Sequence, residues 1–566
     1  MLVVLIAKGG KQMKSSKLRL FGVVASVAML STALAGCSTQ AVSTPKAVSQ
    51  ASQGAQPVYG GTLTMDLSSQ FPHLDPAKAY DTTSYEAVLQ FYNQLVTYKG
   101  ATNTLVGDLA SSWNITNGGK VYTFHLTNAK FWNGNPVTAQ SFITEFERVL
   151  NNNMQSGGQG FISPLIQGSA AFVAGKAKTV TGLKALNAHT LQITLNNPSA
   201  TFLNVLAMPF YSAVDPAYVN SHPESYVDTH PMGSGPFMLQ SYTAGRNYVL
   251  VRNPHYFQKG IPYLSKIVFN IDNSPSAVMF HFEQGKTGLI SWNQGGIPSQ
   301  DYLPLSTNPQ YNKDIVKATE VAINYLGLNT KYGPTANVAV RRALEYAVNK
   351  QTFVRIMAGL AIPANQIIPP SMPAGYEAVL PKNAQYTYNP TLAKQLLAKA
   401  GYPKGFSTTI YTDNSSPTDL KFAEAAQQMF AQIGVHASVN QTSWNTFLTN
   451  NEAGKQNIFT LAWIEDFPDP SDFLNTLFNS NEAPVNNSTN YSNPQVDALL
   501  NKGAVMPAGV ARDNVYKQAQ NIILSQAAWI PLVYPVYAAA VQPWVKGFYI
   551  NPNLTDPLQA MWIAKH

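Results

Sequence analysis

Asn389-Pro390-Thr391-Leu392-Ala393-Lys394-Gln395-Leu396-Leu397-Ala398-Lys399-Ala400-Gly401-Tyr402-Pro403 spells a complete helix with both ends marked. Asn caps it, and Pro takes the first helical position, where its missing N–H is no loss. Leu392, Leu396 and Leu397 form one apolar stripe, and Gly401 with Pro403 stops the helix. The same start returns at Asn493-Pro494 ahead of Val496, Leu499 and Leu500. Residues 340–349 carry Val340, Ala343, Leu344, Ala347 and Val348 at helical spacing. Toward the amino terminus the period changes to two: Leu63, Met65 and Leu67 alternate after Gly60-Gly61, as do Tyr122, Phe124, Leu126 and Leu191, Ile193, Leu195, which predicts strands. A strand-rich first half and a more helical second half predict an α/β or mixed α+β protein. Its lobes are expected to enclose a ligand cleft.

Length agrees, because 566 residues exceed what one hydrophobic core holds and imply two or three lobes. Charged residues are only 12% and aromatics 11%, a balance that excludes disorder and favours aromatic-lined surfaces. The formal charge of +8 is misleading: Lys8, Lys11, Lys14, Lys17 and Arg19 all precede Cys37 without an acidic residue among them, which leaves +3 for the rest. With no clustered basic face, no nucleic-acid partner is expected.

Cys37 is the single cysteine, so no intrachain disulfide, zinc knuckle or iron–sulfur cluster can form. No nucleophile elbow, metal-ligand histidine pair, phosphate-binding loop or dinucleotide fingerprint has the required spacing. Gly233-Ser234-Gly235-Pro236 is a tight turn without the elbow's flanks, and His281-Phe282-Glu283 lacks the downstream cysteines of a zinc deaminase. Glu465, Asp466, Asp469 and Asp472 suggest calcium, but Pro468 and Pro470 interrupt them and no calcium-loop glycine follows, so a solvated turn is the plainer reading for most of them. A binding protein without cofactor or metal is expected, not an enzyme.

Lys14, Lys17 and Arg19, the apolar stretch 20–30 and Leu34-Ala35-Gly36-Cys37 read as an export signal ending at small residues. Leu-Ala-Gly-Cys resembles the bacterial lipobox, which makes Cys37 the lipid-bearing first residue of the mature chain. Two or more acyl chains hold a protein at a membrane where one lets go. Residues 38–57, rich in Ser, Thr, Gln, Ala and Pro, form a tether.

Further motifs add up to a family. They are Gly60-Gly61-Thr62-Leu63-Thr64 with Leu74-Asp75-Pro76, Phe131-Trp132-Asn133-Gly134-Asn135-Pro136, Gly233-Ser234-Gly235-Pro236-Phe237, Val340-Arg341-Arg342-Ala343-Leu344, Trp463-Ile464-Glu465-Asp466-Phe467-Pro468-Asp469-Pro470, Ile530-Pro531-Leu532 and Pro543-Trp544-Val545-Lys546-Gly547. In this order they resemble the oligopeptide- and dipeptide-binding branch of bacterial ABC-importer solute receptors, extracellular solute-binding protein family 5, from Tyr59 to His566. The resemblance implies a periplasmic-binding-protein-like type II clamp of two main lobes with an extra inserted domain. It maps the signal to 1–36 and the lipidated cysteine and tether to 37–57. Lobe I takes 58–88, 210–315 and 535–566; the inserted domain takes 89–209; lobe III takes 316–534. Such receptors close on their ligand like a hinge.

The resemblance also implies the site. Asp466, three residues after Trp463, takes the amine of a short peptide. The backbone at Ala462, Trp463 and Ile464 pairs with the extended ligand as an added strand. Tyr534 contacts ligand backbone and Trp444 walls the pocket. Thr460 stands where a relative carries a carboxylate-binding arginine, so that partner stays open, with Lys421 as a substitute. The implied protein is a monomeric, lipid-anchored, extracytoplasmic receptor that hands short peptides to the permease subunits of an ABC importer. The same fold also hosts receptors for oligosaccharides, nickel and haem, and an exported peptidase or chaperone is the alternative from another class.

Overall fold

The alternation at Leu63, Met65 and Leu67 becomes strand Thr62–Leu67, with all three apolar side chains fully buried. It pairs in parallel with Lys266–Ile271, and the sheet continues through Asn247–Arg252 to Phe237–Thr243. The computed structural model describes residues 56–67, 69–272, 274–291, 296–551 and 555–565; the export segment, Cys37 and most of the tether lie outside them.

A second, antiparallel sheet holds Ala110–Thr116, Val121–Leu126, Thr190–Thr194 and Leu183–Asn187 in that spatial order. Helix Ala139–Leu150 adds Phe142, Phe146, Val149 and Leu150 to the same core. A third, eight-stranded sheet runs in the order Leu289–Ile290, Trp529–Val541, Ala322–Leu328, Ile458–Ile464, Phe406–Asp413, Val435–Thr442, with Ile315–Thr319 and Ala361–Pro363 also paired to Trp529–Val541. Mixed sheets covered by helices give the α/β clamp expected from the sequence, with two main lobes, a cleft and an inserted domain.

The helix starts fall as read. Helix Pro390–Lys399 has Asn389 accepting from the Leu392 N–H, and Pro494–Val505 has Asn493 accepting from Gln495 and Val496. Residues 340–349 differ. Helix Val338–Ala347 begins two residues earlier under Asn337, and Asn349 is the cap of the next helix, Lys350–Ile356. Asparagine at both positions makes two short capped helices from what reads as one.

Motifs far apart in sequence meet at joints. A Cβ on Gly233 would lie 1.7 Å from the Phe91 carbonyl oxygen and one on Gly235 2.3 Å from that of Gln90, so only glycine lets this turn lie against the end of helix Thr82–Phe91. The Trp132 N–H donates to the Gly233 carbonyl at 2.9 Å, which ties the Phe131-Trp132 motif to the Gly-Ser-Gly-Pro turn. Arg148 on helix Ala139–Leu150 bridges the buried carboxylates of Asp75 and Glu145, each at 2.5 Å. Asp75 of the Leu-Asp-Pro motif thereby anchors helix Ala139–Leu150.

The 13-residue strand Trp529–Val541 passes from one core to another. Ile530, Leu532 and Val533 pack in the cluster with Leu326 and Ile410, while Tyr537, Ala539 and Val541 pack with Leu63 and Phe269. Its antiparallel companion breaks between Ile315–Thr319 and Ala322–Leu328, at Glu320 and Val321. Both strands therefore run between the two cores.

Candidate functional site

Strands Phe406–Asp413, Val435–Thr442 and Ile458–Ile464 are parallel, so their carboxyl ends share one rim of the sheet. That rim is where ligands bind in sheets of this kind. Helix Pro417–Ala431 with Lys421, helix Trp444–Glu452 with Trp444, and the turn with Asp466 all begin there. Lys421 is exposed on its helix, and Trp444, 44% exposed, stacks on Phe447 at 5.9 Å.

Strand Ile458–Ile464 pairs with Ala322–Leu328 along its whole length on one side. On the other it pairs with Phe406–Asp413 only at Ile458 and Phe459. Past that point the far edge has no ladder partner among the described residues. Ala462 and Ile464 are exposed there, while Leu461 and Trp463 turn into the core. An unpaired edge beside a cleft is a template for an extended chain.

The strand ends in carboxylates. Trp463 Nε1 donates to Asp472 Oδ2 at 3.0 Å, and the Asp466 N–H donates to the same oxygen at 3.3 Å. Asp469 caps helix Pro470–Phe478 and holds Arg512 through two bonds of 2.7 and 2.8 Å. The segment is therefore not a solvated turn: Asp469 and Asp472 are buried, because the helix they start is packed through Phe473, Leu474, Leu477 and Phe478.

Across the cleft stands an aromatic wall. The Tyr80 hydroxyl donates to Asp466 Oδ1 at 3.1 Å, with its ring against Phe210 at 5.5 Å, and Phe161 meets Phe467 at 6.4 Å. Burial pushes the Asp466 carboxyl up to about 6, against the lowering effect of the Tyr80 hydrogen bond. Burial, then the neighbouring Asp466, raises Asp472 well above the ordinary carboxylate range. Burial first and then Asp466 also raise the phenols of Tyr80 and Tyr85, and burial, then Tyr80 and Asp466, that of Tyr211. Arg512, taken by Asp469, is the one cation ion-paired with this acidic turn among the described residues. Carboxylates thus stand on one side and the faces and hydroxyls of aromatic rings on the other, groups that can both receive a cation.

Tyr534, expected to contact ligand backbone, and Thr460, expected to offer no carboxylate partner, both turn inward. Tyr534 is buried, and its hydroxyl donates to the Gln366 carbonyl at 2.8 Å and accepts from the Gln366 N–H at 3.2 Å, so it holds the loop at 366–368. Thr460 is buried and bonded to Thr412 at 2.8 Å, so it leaves no side chain for a ligand carboxylate. No local sequence pattern marks Tyr80, Tyr98 or Glu320, and Asp472 stands in the acidic cluster. Tyr80 lies 386 residues from Asp466, and no local pattern reveals such a pairing. Among the described residues no group of three or more His, Cys, Asp and Glu is placed to hold a metal ion, and no helix is long and apolar enough to cross a membrane.

A two-lobed clamp with an open strand edge and a charged seat in its cleft defines a solute-binding protein. The chain belongs to the bacterial extracellular solute-binding proteins, family 5, whose model matches residues 104–484. It is 30% identical to heme-binding protein A of Haemophilus influenzae over 84% of this chain and 88% of the relative. It is 28% identical to glutathione-binding protein GsiB of Escherichia coli over 87% of this chain and 92% of the relative. Among solved structures, the Escherichia coli murein tripeptide binding protein MppA matches with a TM-score of 0.73 at 26% identity, covering 90% of this chain and all of that one.

Proposed function

We propose that this chain is the substrate-binding lipoprotein of an ABC importer, and that it captures short peptides by their free amino terminus. The observation that carries the reading is Asp466: a carboxylate with no counter-cation among the described residues, at the end of a strand edge that is unpaired among them, and hydrogen-bonded to Tyr80. The α-ammonium of a peptide sits on Asp466 and Asp472, and the ligand backbone adds to the edge at Ala462, Trp463 and Ile464. Trp444 bounds the same rim. Glutathione and the murein tripeptide, named for two relatives, are both tripeptides, which favours a ligand of about that length. The receptor works as a monomer, leaves the peptide intact and passes it to permease subunits.

The test is titration calorimetry on residues 38–566 with Ala-Ala-Ala and its N-acetylated form, alongside glutathione, hemin, nickel and an oligosaccharide. Binding of the free-amine tripeptide, with acetylation weakening it at least tenfold, is the expected result. Hemin, nickel or sugar binding alone overturns the peptide assignment, and cleavage of the tripeptide overturns the non-catalytic one.

Leu34-Ala35-Gly36-Cys37 supports an anchored receptor on the outer face of the cell membrane or its periplasmic side, with Cys37 acylated. Metabolic labelling with palmitate should mark the full chain and lose the mark in Cys37→Ala; an unlabelled full chain rejects the anchor.

A further inference from the structure

The chain enters its first sheet at one end, and positive charge gathers there. Thr62, the first residue of strand Thr62–Leu67, stands opposite Lys266, Lys266 opposite Val251, and Arg252 opposite Phe237, so these residues share one end of the sheet. Asp66 and Asp272 belong to the other end. The ribbon of Val545–Lys546 and Trp562–Ile563 lies against the entry: a Cβ on Gly61 would meet the Ile563 side chain at 3.1 Å, and the Ala564 N–H donates to the Trp544 carbonyl at 2.8 Å. Lys565 follows directly and is exposed.

Tyr59 fixes the entering chain. Its hydroxyl donates to the Gly260 carbonyl at 3.0 Å, its ring meets that of Tyr263 at 5.3 Å, and the Arg252 guanidinium carbon lies 5.5 Å from its centroid. The Gly60 N–H donates to the Tyr263 carbonyl at 2.9 Å, and Arg252 donates to the carbonyls of Tyr263 and Leu264. Lys259, next to Gly260, is exposed and Lys266 partly so; neither of them, nor Lys565, forms an ion pair among the described residues. Lys546 differs, because it faces Asp314. Segments 56–65, 251–266, 543–551 and 555–565 contain one acidic residue, Asp556, and it is buried. The exposed formal charges of these segments are therefore all positive. Their members come from separate stretches of chain, so no basic run shows in the sequence.

What this end meets is set by the chain before it. Residues 38–55 separate Cys37 from Gln56 and reach at most about 65 Å when fully extended. With Cys37 acylated, this end is the part of the body tied most closely to lipid headgroups. Each lysine brought near an anionic bilayer strengthens binding by about fivefold, and tyrosine favours the headgroup level. Val58 and Tyr59 are exposed beside the lysines. We propose that this end is a membrane-docking face: Lys259, Lys266 and Lys565 rest on the phosphates of anionic lipids around the anchor, with Tyr59 among the headgroups. The inference rests on the lipid-anchor reading and extends it from a tether to a defined orientation of the body.

The experiment is co-sedimentation of residues 38–566, which include every described residue and omit Cys37, with vesicles of phosphatidylglycerol and phosphatidylcholine in equal parts and with vesicles of phosphatidylcholine alone. Binding to the anionic vesicles should be at least tenfold stronger at low salt and should fall as salt is added, since charges at a surface are screened beyond about 10 Å at 0.1 M. Lys259→Gln, Lys266→Gln and Lys565→Gln together should remove at least nine-tenths of the preference. Lys259→Gln with Lys565→Gln, both at exposed positions outside the strands, should remove more than half of it without touching the sheet. Lys176→Gln, Lys178→Gln and Lys184→Gln take the same charge from exposed lysines elsewhere and should leave most of the preference in place. Equal binding to the two kinds of vesicle, or a preference that both triple variants reduce alike, overturns the inference. Palmitate labelling of the full chain decides the anchor separately, because the vesicle measurement contains no Cys37.

Discussion

Asp466→Asn is expected to weaken binding of a free-amine tripeptide by about ten- to a hundredfold, because a charge-assisted hydrogen bond is worth roughly 1.5–3 kcal/mol and about 1.4 kcal/mol is tenfold in affinity. The substitution keeps shape and removes charge, and it leaves the Asp466 N–H to Asp472 contact in place. The N-acetylated peptide, already without an ammonium, should bind the variant and the original chain alike. pH supplies a second readout with a definite sign. The Asp466 carboxyl sits at about 6, and a peptide α-amine keeps its proton below roughly 7.7, so affinity should be full near neutral pH and fall as pH drops through about 6. The empty protein runs the other way: a carboxyl raised on folding binds more protons folded than unfolded, so its stability falls as pH rises from about 4 to 6. Ligand-induced thermal shifts should therefore grow from pH 5 to pH 7, and grow less in Asp466→Asn. A variant that binds as tightly as the original places the ammonium elsewhere.

Why sequence reached Asp466 but not its surroundings follows from where information is local. Caps at Asn389 and Asn493 and alternation at Leu63, Met65 and Leu67 report on a residue and its neighbours within one turn or one pleat, and all of them appear in the fold. Much of the recognisable motif content proves to be joinery. Gly233 and Gly235 let a turn meet a helix, Asp75 anchors Arg148, and Arg341 and Arg342 donate to the Gln526 and Ser525 carbonyls at the end of helix Val510–Ser525. These residues identify the scaffold, and through it the position of Asp466. The facing wall of Tyr80, Phe161, Tyr98 and Phe210 is assembled from segments hundreds of residues away, with no shared period. The acidic turn misleads for a different reason. Four carboxylates with two prolines look like a solvated loop, and only the packing of Phe473 and Leu477 beneath them, with Arg512 from another helix, makes them a buried seat.

Arg512→Ala should be the most destabilising single change near the site. The guanidinium is 1% exposed, bonded twice to Asp469 and once to the Gly503 carbonyl at 2.9 Å, and its Cζ lies 4.8 Å from the Tyr516 ring centroid. Removing it leaves the Asp469 carboxylate buried without a counter-charge, which costs about 3–5 kcal/mol. In a chain of this size that is a drop in melting temperature of roughly 3–5 °C. The damage should reach the ligand as well. Asp469 caps helix Pro470–Phe478 through the Ser471 N–H at 2.9 Å, and the first turn of that helix carries Asp472, which holds Trp463 and the Asp466 N–H. A loosened cap moves the seat, so peptide affinity should fall although Arg512 touches no ligand. The pair Arg512→Met with Asp469→Asn separates the causes. With no unpaired charge left, it should recover most of the lost stability, since apolar replacement of a buried ion pair is often near neutral. A single variant that melts within about 2 °C of the original chain would mean that Asp469 finds water or another donor at no cost, and that the ion pair does not fix the position of Asp466.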